Sequence, residues 1–268
     1  MEASLPRNQS DARYSITPMQ AAVPGPSLAL PEYVWPRLGS RPAWVLAHGF
    51  GRRTVGPDWW QRELASRQLP QSVTTFDHDG KQRLTRSDLF RLGAVAAQPE
   101  AKDDDLLTFL WHVLAWGTGS GQRGNRQRVT AFADPEDCQR NVALLRAALH
   151  AAAEGDPRTA YSTLIRPGRA TIRGLGPAFF TKALYFASEG TAGTRCLILD
   201  ARVAGNLHAA GWTSLPHRGS KFTYNWFTTT YVAYCGLLQR WAVEATQELG
   251  LRVWPDEIER ALFEGPES

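Results

Sequence analysis

Residues 171–187 read T-I-R-G-L-G-P-A-F-F-T-K-A-L-Y-F-A, and after a short spacer residues 196–203 read C-L-I-L-D-A-R-V. Gly174-Leu175-Gly176 forms a tight turn, because glycine accepts positive φ at little steric cost. Pro177 suits the first position of a helix, where its missing N–H would have had no partner anyway. A helix that opens behind a glycine turn points free backbone N–H groups and a positive dipole end outward. That is an anion site, and phosphate is the obvious anion. Downstream, the apolar run Leu197-Ile198-Leu199 ends at Asp200, which caps a helix beginning at Ala201.

The rest of the chain sets the context for these two runs. Its 268 residues can bury a sizeable core, and 43% of them are hydrophobic. Ten tryptophans supply core material, pocket walls or stacking surfaces. The net charge is +4, which admits an anionic partner without naming one. That charge is uneven. From Trp116 to Lys182 there are ten basic residues and five acids, so the excess surrounds the hairpin. Cys138, Cys196 and Cys235 are too few and too scattered for a zinc or iron–sulfur site. Their odd number and wide spacing fit a reducing, cytoplasmic setting. No signal pattern and no membrane-length apolar run is evident.

Residues 1–30, rich in Pro, Ser, Ala and Gln, read as a mobile arm. A region from 31 to 103 follows, with Trp-rich segments, a turn at Asp79-Gly80 and a helix start near Ser87. Thr85 and Ser87 are candidate caps there. Asp77, Asp79 and Asp88 mimic part of a calcium loop. Lys81 sits at a ligand position, Gln82 stands where glycine is needed, and the bidentate glutamate is missing; a turn plus a helix cap explains them better. Asp103, Asp104 and Asp105 precede L-L-T-F-L-W-H-V-L-A-W, an almost wholly apolar helix whose leading acids complement its dipole. It stops at Gly117-Thr118-Gly119-Ser120-Gly121. Further helices are expected over 136–153, 158–166, 201–210, 224–249 and 255–263. Strand signals are few and mostly precede residue 80. The class is mainly α.

Three elements carry chemistry. The hairpin can grip a DNA phosphate through backbone N–H groups, a contact that positions without reading sequence; a lone G-L-G turn also serves as a plain helix connector. A cap at the mouth of a cleft can hold a carboxylate ionised, and Asp200 there can stabilise the positive charge that builds on a sugar as its N-glycosidic bond breaks, and can orient water. The loop at 117–128 brings small glycines together with Gln122, Arg123, Asn125 and Arg126. These are residue types that can fill the gap left by a flipped nucleotide, although a basic surface loop has the same composition.

Hairpin, following helix, spacer and aspartate resemble the helix–hairpin–helix superfamily of DNA glycosylases. More closely, F-L-W-H-V-L-A-W-G-T-G, G-L-G-P-A-F-F-T-K-A-L-Y-F-A, L-I-L-D-A-R-V and the terminal E-I-E-R-A-L-F resemble bacterial 8-oxoguanine-glycosylase-like proteins, over roughly residues 104–264. The resemblance implies a mainly α, two-lobed helix–hairpin–helix fold with a few strands at most in the N-terminal part. Residues 104–217 would form the helix–hairpin–helix domain and 218–268 the helices completing the second lobe, with 31–103 packed on them. It implies Asp200 as the catalytic carboxylate, Gly174, Leu175, Gly176 and Ala178 as the phosphate clamp, and 117–128 as the wedge. Duplex DNA carrying a damaged or modified base is the implied partner, bound by a monomer with no membrane contact. No cofactor is expected, apart from a monovalent cation that the hairpin could hold.

One position departs from the pattern. Superfamily members that also cut the backbone carry a Schiff-base lysine two residues after the second hairpin glycine, where this chain has Ala178. Lys182 lies one turn later on the same face. It is either a displaced nucleophile or a phosphate or solvent contact; without a nucleophilic lysine, water directed by Asp200 leaves an abasic site. Trp116, Phe179, Tyr185 and Trp226 are candidate walls of a base pocket, with Phe180, Tyr224 and Tyr231 behind them, and His208 and His217 are candidate cleft residues. The excised base stays open between an oxidised purine such as 8-oxoguanine and a hypermodified base of phage DNA, the second implying defence rather than repair. A non-catalytic DNA-binding module is the rival from another class.

Overall fold

The computed structural model describes residues 28–166, 169–191, 193–218, 221–222 and 226–266. All but the last three residues of the expected arm, and Tyr224 with them, lie outside the described residues. Within them the chain is mainly α, as expected, with twelve α-helices and seven short strands.

The N-terminal part opens with a 3-10 turn at Glu32–Arg37. It continues through α1 (Arg41–Ala47), β1 (Gly49–Gly51), α2 (Arg52–Val55), α3 (Pro57–Ala65), β2 (Phe76–His78) and β3 (Lys81–Thr85). The three strands form an antiparallel sheet in the order β1-β3-β2. Asp79 and Gly80 join β2 to β3 with φ of +52° and +76°, the left-handed pair that two-residue hairpins need. The calcium-like acids are used locally. Asp77 Oδ1 accepts from the Gly80 N–H at 3.0 Å. Asp88 accepts from the Thr85 N–H and meets His78 Nε2, both at 2.8 Å. Thr85 in turn caps α4 (Arg86–Ala96) in a reciprocal capping box with Asp88.

Helix α5 (Asp103–Thr118) is central, with Phe109 to Trp116 all buried. A 3-10 turn at Gly119–Gly121 leads to α6 (Asn125–Thr130), α7 (Pro135–Ala153) and α8 (Pro157–Leu164). A two-residue ladder, β4 (Ile165–Arg166) with β5 (Arg169–Ala170), precedes α9 (Pro177–Ala187) and α10 (Ala201–Ala209). A second such ladder, β6 (His217–Arg218) with β7 (Lys221–Phe222), precedes α11 (Thr228–Leu249) and α12 (Pro255–Glu264). Both ladders fall outside the N-terminal part: β4 takes the last two residues of the helix expected over 158–166, and β6 and β7 lie where the sequence predicts no strand. They are too short to carry an alternating apolar pattern.

The apolar core is continuous from Leu30 to Leu262. Buried ions tie the N-terminal elements to the C-terminal helices. Arg41 Nε donates to both oxygens of Asp256 at 2.9 Å, and its Nη2 donates to Glu189 at 2.7 Å. Asp256 also accepts from the Tyr185 hydroxyl at 2.8 Å. Glu257 accepts from the backbone N–H groups of Ser40 and Arg41, each at 2.8 Å. The first turn of α12 is thereby fixed against α1 and α9.

Candidate active site

The hairpin lies between α8 and α9. The Thr171 N–H returns to the carbonyl of Leu164 at 3.0 Å, and the Leu175 N–H closes a turn onto Ile172 at 3.1 Å. Gly174 has φ +79°, while Gly176, the N-cap of α9, has φ −76°. Only the first glycine therefore requires its freedom for conformation. A side chain at Gly176 would meet nothing within 4 Å, which leaves its backbone open to a close-approaching ligand. Leu175 is buried and anchors the turn from inside. Ala178 is the second residue of α9, among the N–H groups that a helix cannot satisfy internally.

The loop at 117–128 is bound to this hairpin. Arg128 is its hub. Nε donates to the carbonyl of Gly174 at 3.1 Å, and Nη1 donates to the Arg123 carbonyl and to Asn125 Oδ1, each at 2.8 Å. The guanidinium stacks 3.6 Å from the centroid of Phe179. Asn125 is fully buried, and its amide also donates to Thr118 Oγ1 at 2.9 Å. Its side chain is thus spent on holding the loop in shape. Arg123 and Arg126 remain exposed and Gln122 half-exposed on the outer surface.

Asp200 ends a buried extended segment that has no strand partner among the described residues. Extended backbone must still satisfy its N–H and C=O groups, and here side chains do so. Tyr231 accepts from the Leu197 N–H at 3.1 Å and donates to its carbonyl at 2.9 Å. Tyr234 donates to the Ile198 carbonyl at 2.8 Å. The Leu199 N–H donates to Thr181 Oγ1 at 3.1 Å. Helices α9 and α11 therefore clamp residues 197–199 and deliver Asp200 to the head of α10, where Oδ1 accepts from the Arg202 N–H at 2.7 Å.

Asp200 and Lys182 meet in one cavity of about 390 Å³. Its walls include His48, Phe50, Arg86, Trp116, Gly117 and Ile198, with Glu259, Arg260, Phe263 and Glu264 contributed by α12. The aromatic side is a cluster in which the His48 and Phe50 rings lie 5.4 and 5.8 Å from Trp116. Gly117 makes room for the lysine stem, since a Cβ there would stand 3.1 Å from Lys182 Cδ. Lys182 Nζ donates to the Ala178 carbonyl at 2.6 Å.

Charge in this cavity is strongly perturbed. Burial lowers the Lys182 pKa, with Asp200 and Glu259 opposing the shift. Burial raises that of Glu259 to about 8, and Arg86 and Lys182 offset this only in part. Burial and then Arg86 lower His48 to about 4. His48 Nδ1 accepts from Arg86 Nε at 2.8 Å, so the neutral ring carries its proton on Nε2.

Of the residues singled out from sequence, Asp200, Lys182 and Trp116 line the cavity, and the hairpin and basic loop adjoin one another through Arg128. Phe179 lies beneath Arg128 beside the cavity wall. Tyr185 and Trp226 are corrections: both are buried in the core and neither lines the cavity. The Tyr185 hydroxyl is held by Arg86 and Asp256, and Trp226 packs on Trp212 and Tyr234. Phe180 and Tyr231 are equally buried. His208 and His217 pack against Phe222 away from the cavity. Sequence reading missed His48, Phe50, Arg86, Glu259 and Phe263. The available signal for Glu259 and Phe263 was their i, i+4 spacing, which puts an acid and an aromatic on one face of a terminal helix.

The family model of putative 8-oxoguanine DNA glycosylase OGG-like proteins matches residues 44–263. No curated protein and no solved structure matches the chain. The match covers most of the sequence, and the chain belongs to this OGG-like DNA glycosylase family.

Proposed function

From that family membership and the make-up of the cavity, we propose that the protein flips a damaged or modified base out of duplex DNA and hydrolyses its N-glycosidic bond, leaving an abasic site. The observation that carries this reading is that Asp200 opens into a partly aromatic cavity, with a glycine hairpin and a basic loop nearby. The hairpin N–H groups and Ala178 hold the backbone. Gln122, Arg123 and Arg126 face the duplex and support the gap left by the extruded nucleotide. Trp116, with Phe50 and Phe263, receives the base by stacking. Asp200 faces the sugar, stabilises the developing positive charge and deprotonates the attacking water. An oxidised purine such as 8-oxoguanine and a bulky phage base are the two substrate classes, corresponding to repair and to defence.

Lys182 supports a second reading, because its amine lies in the cavity wall and burial favours its neutral, nucleophilic form. In that case the amine attacks the sugar, and the protein also nicks the strand. Incubation with duplexes carrying 8-oxoguanine, other oxidised purines or glucosylated cytosines, followed by hot alkali, tests excision. Strand scission at one of these bases is the expected result. Tight DNA binding with no alkali-labile site on any duplex favours the non-catalytic rival.

A further inference from the structure

Helix α12 buries three acids, and they differ in one respect. Asp256 is saturated by Arg41 and Tyr185. Glu257 accepts three backbone N–H groups, from Ser40, Arg41 and Trp254. Glu259 is 2% exposed and lines the cavity with Asp200 and Lys182, yet it accepts no hydrogen bond from any described residue, and its Oε2 is wholly buried without a partner. A buried, unpaired carboxyl costs folding free energy and is rarely kept for stability. Its position in the wall of the reaction cavity gives it a chemical use.

We propose that Glu259 is the general acid of base excision, donating its proton to the departing base while Asp200 faces the sugar. This rests on the reading of the chain as a base-excising hydrolase. The C1′–N bond breaks, its electron pair goes to the base, and the base nitrogen or a conjugated oxygen takes the Glu259 proton. Water adds its hydroxyl to C1′ and gives its proton to Asp200. Free base and an abasic sugar leave, Glu259 is left as a carboxylate, and a net proton passes from Asp200 to Glu259 through solvent. The two carboxyl groups then have the opposite protonation states that glycoside hydrolysis demands.

Electrostatics favour this division of labour. Glu259 faces Arg86 from α4, Lys182 from α9, Asp200 at the head of α10, Tyr234 from α11 and Asp256 on its own helix. Arg260, Glu264 and the neutral His48 complete the titratable lining of the cavity. With its pKa pushed up to about 8, Glu259 carries a proton at neutral pH, and a pKa near working pH is the best compromise for a general acid. After transfer, Arg86 and Lys182 stabilise the carboxylate.

Single-turnover base release against pH tests the assignment, using the 8-oxoguanine duplex or, if that is left intact, the duplex the alkali screen identifies. Wild-type activity should be level from neutral pH to about pH 8 and fall above it. Glu259→Gln should bind the duplex normally, release base about 10²- to 10⁴-fold more slowly, and lose the break near pH 8. Glu259→Asp should keep a break at a shifted pH. It is the deciding variant if the amide variant does not fold: a retained break supports the acid, and a lost one overturns it. A Glu259→Gln protein with wild-type rate and profile overturns the assignment but leaves excision standing. A wild-type protein that releases no base from any duplex overturns both.

Discussion

Arg128 Nε donates to the carbonyl oxygen of Gly174 at 3.1 Å, so the basic loop and the glycine hairpin form one mechanical unit. The same guanidinium satisfies the Arg123 carbonyl and Asn125 while stacking on Phe179. Arg128→Ala should lower stability by about 1–3 kcal/mol, because buried acceptors lose their donor. It should also weaken duplex binding. Arg128→Lys should not restore either, since an ammonium can neither stack nor fork. Thermal melts and duplex titrations measure both effects.

The hairpin and the loop face should differ in how they fail. Gly174→Ala forces a side chain into φ +79° and should cost roughly 1–2 kcal/mol of stability. Arg123→Ala and Arg126→Ala alter exposed groups, leave the melting temperature almost unchanged, and each reduce the slope of log K against log salt by about 1. A salt titration of duplex affinity separates these outcomes.

The hydroxyl clamp on residues 197–199 should matter more for the rate than for the affinity. Tyr234→Phe removes the donor to the buried Ile198 carbonyl and should destabilise by about 1–3 kcal/mol. Because the segment delivers Asp200, base release should slow while the duplex dissociation constant stays level. Arg41→Ala should act differently, costing about 3–5 kcal/mol by leaving the Asp256 charge buried and unpaired.

Glu259 should also leave a thermodynamic trace. Its folded pKa, about 8, lies above the ordinary carboxylate value, so the folded state binds the extra proton. Its favourable linkage is complete below about pH 4.5 and is lost as pH rises through about 8. Glu259→Gln should therefore melt higher than wild type at pH 8, by an amount on the order of a few kcal/mol, and the difference should shrink toward pH 5. His48 works in the opposite sense. With its pKa lowered to about 4, it should subtract stability as pH falls from about 6.5 toward 4.

Local signals made much of this molecule legible in its sequence. The capping box at Thr85, the left-handed turn at Asp79-Gly80, the acidic start of α5 and the proline opening α9 are each written in a few adjacent residues, and the structure has them all. Asp200 stands out as a helix cap after an apolar run and Lys182 as a lysine one turn beyond Ala178, and both line the cavity. The remaining cavity wall does not stand out. His48 follows α1, Arg86 opens α4 and Glu259 lies on α12, and only tertiary packing brings them to Lys182. Aromatic residues were the least legible: Trp116 and Tyr185 look alike in sequence, yet one faces the cavity and the other carries a buried hydroxyl to Asp256.

Asp200, at the head of α10, is the residue proposed to drive base excision. Direct detection of free base by mass spectrometry, from duplexes incubated with wild type and Asp200→Asn at equal DNA occupancy, tests that role with least inference. Wild type should release base from at least one modified duplex, and Asp200→Asn should bind the same duplex but release base at least about 10²-fold more slowly. Equal release by the two proteins, or none by wild type from any modified duplex it binds, would contradict it.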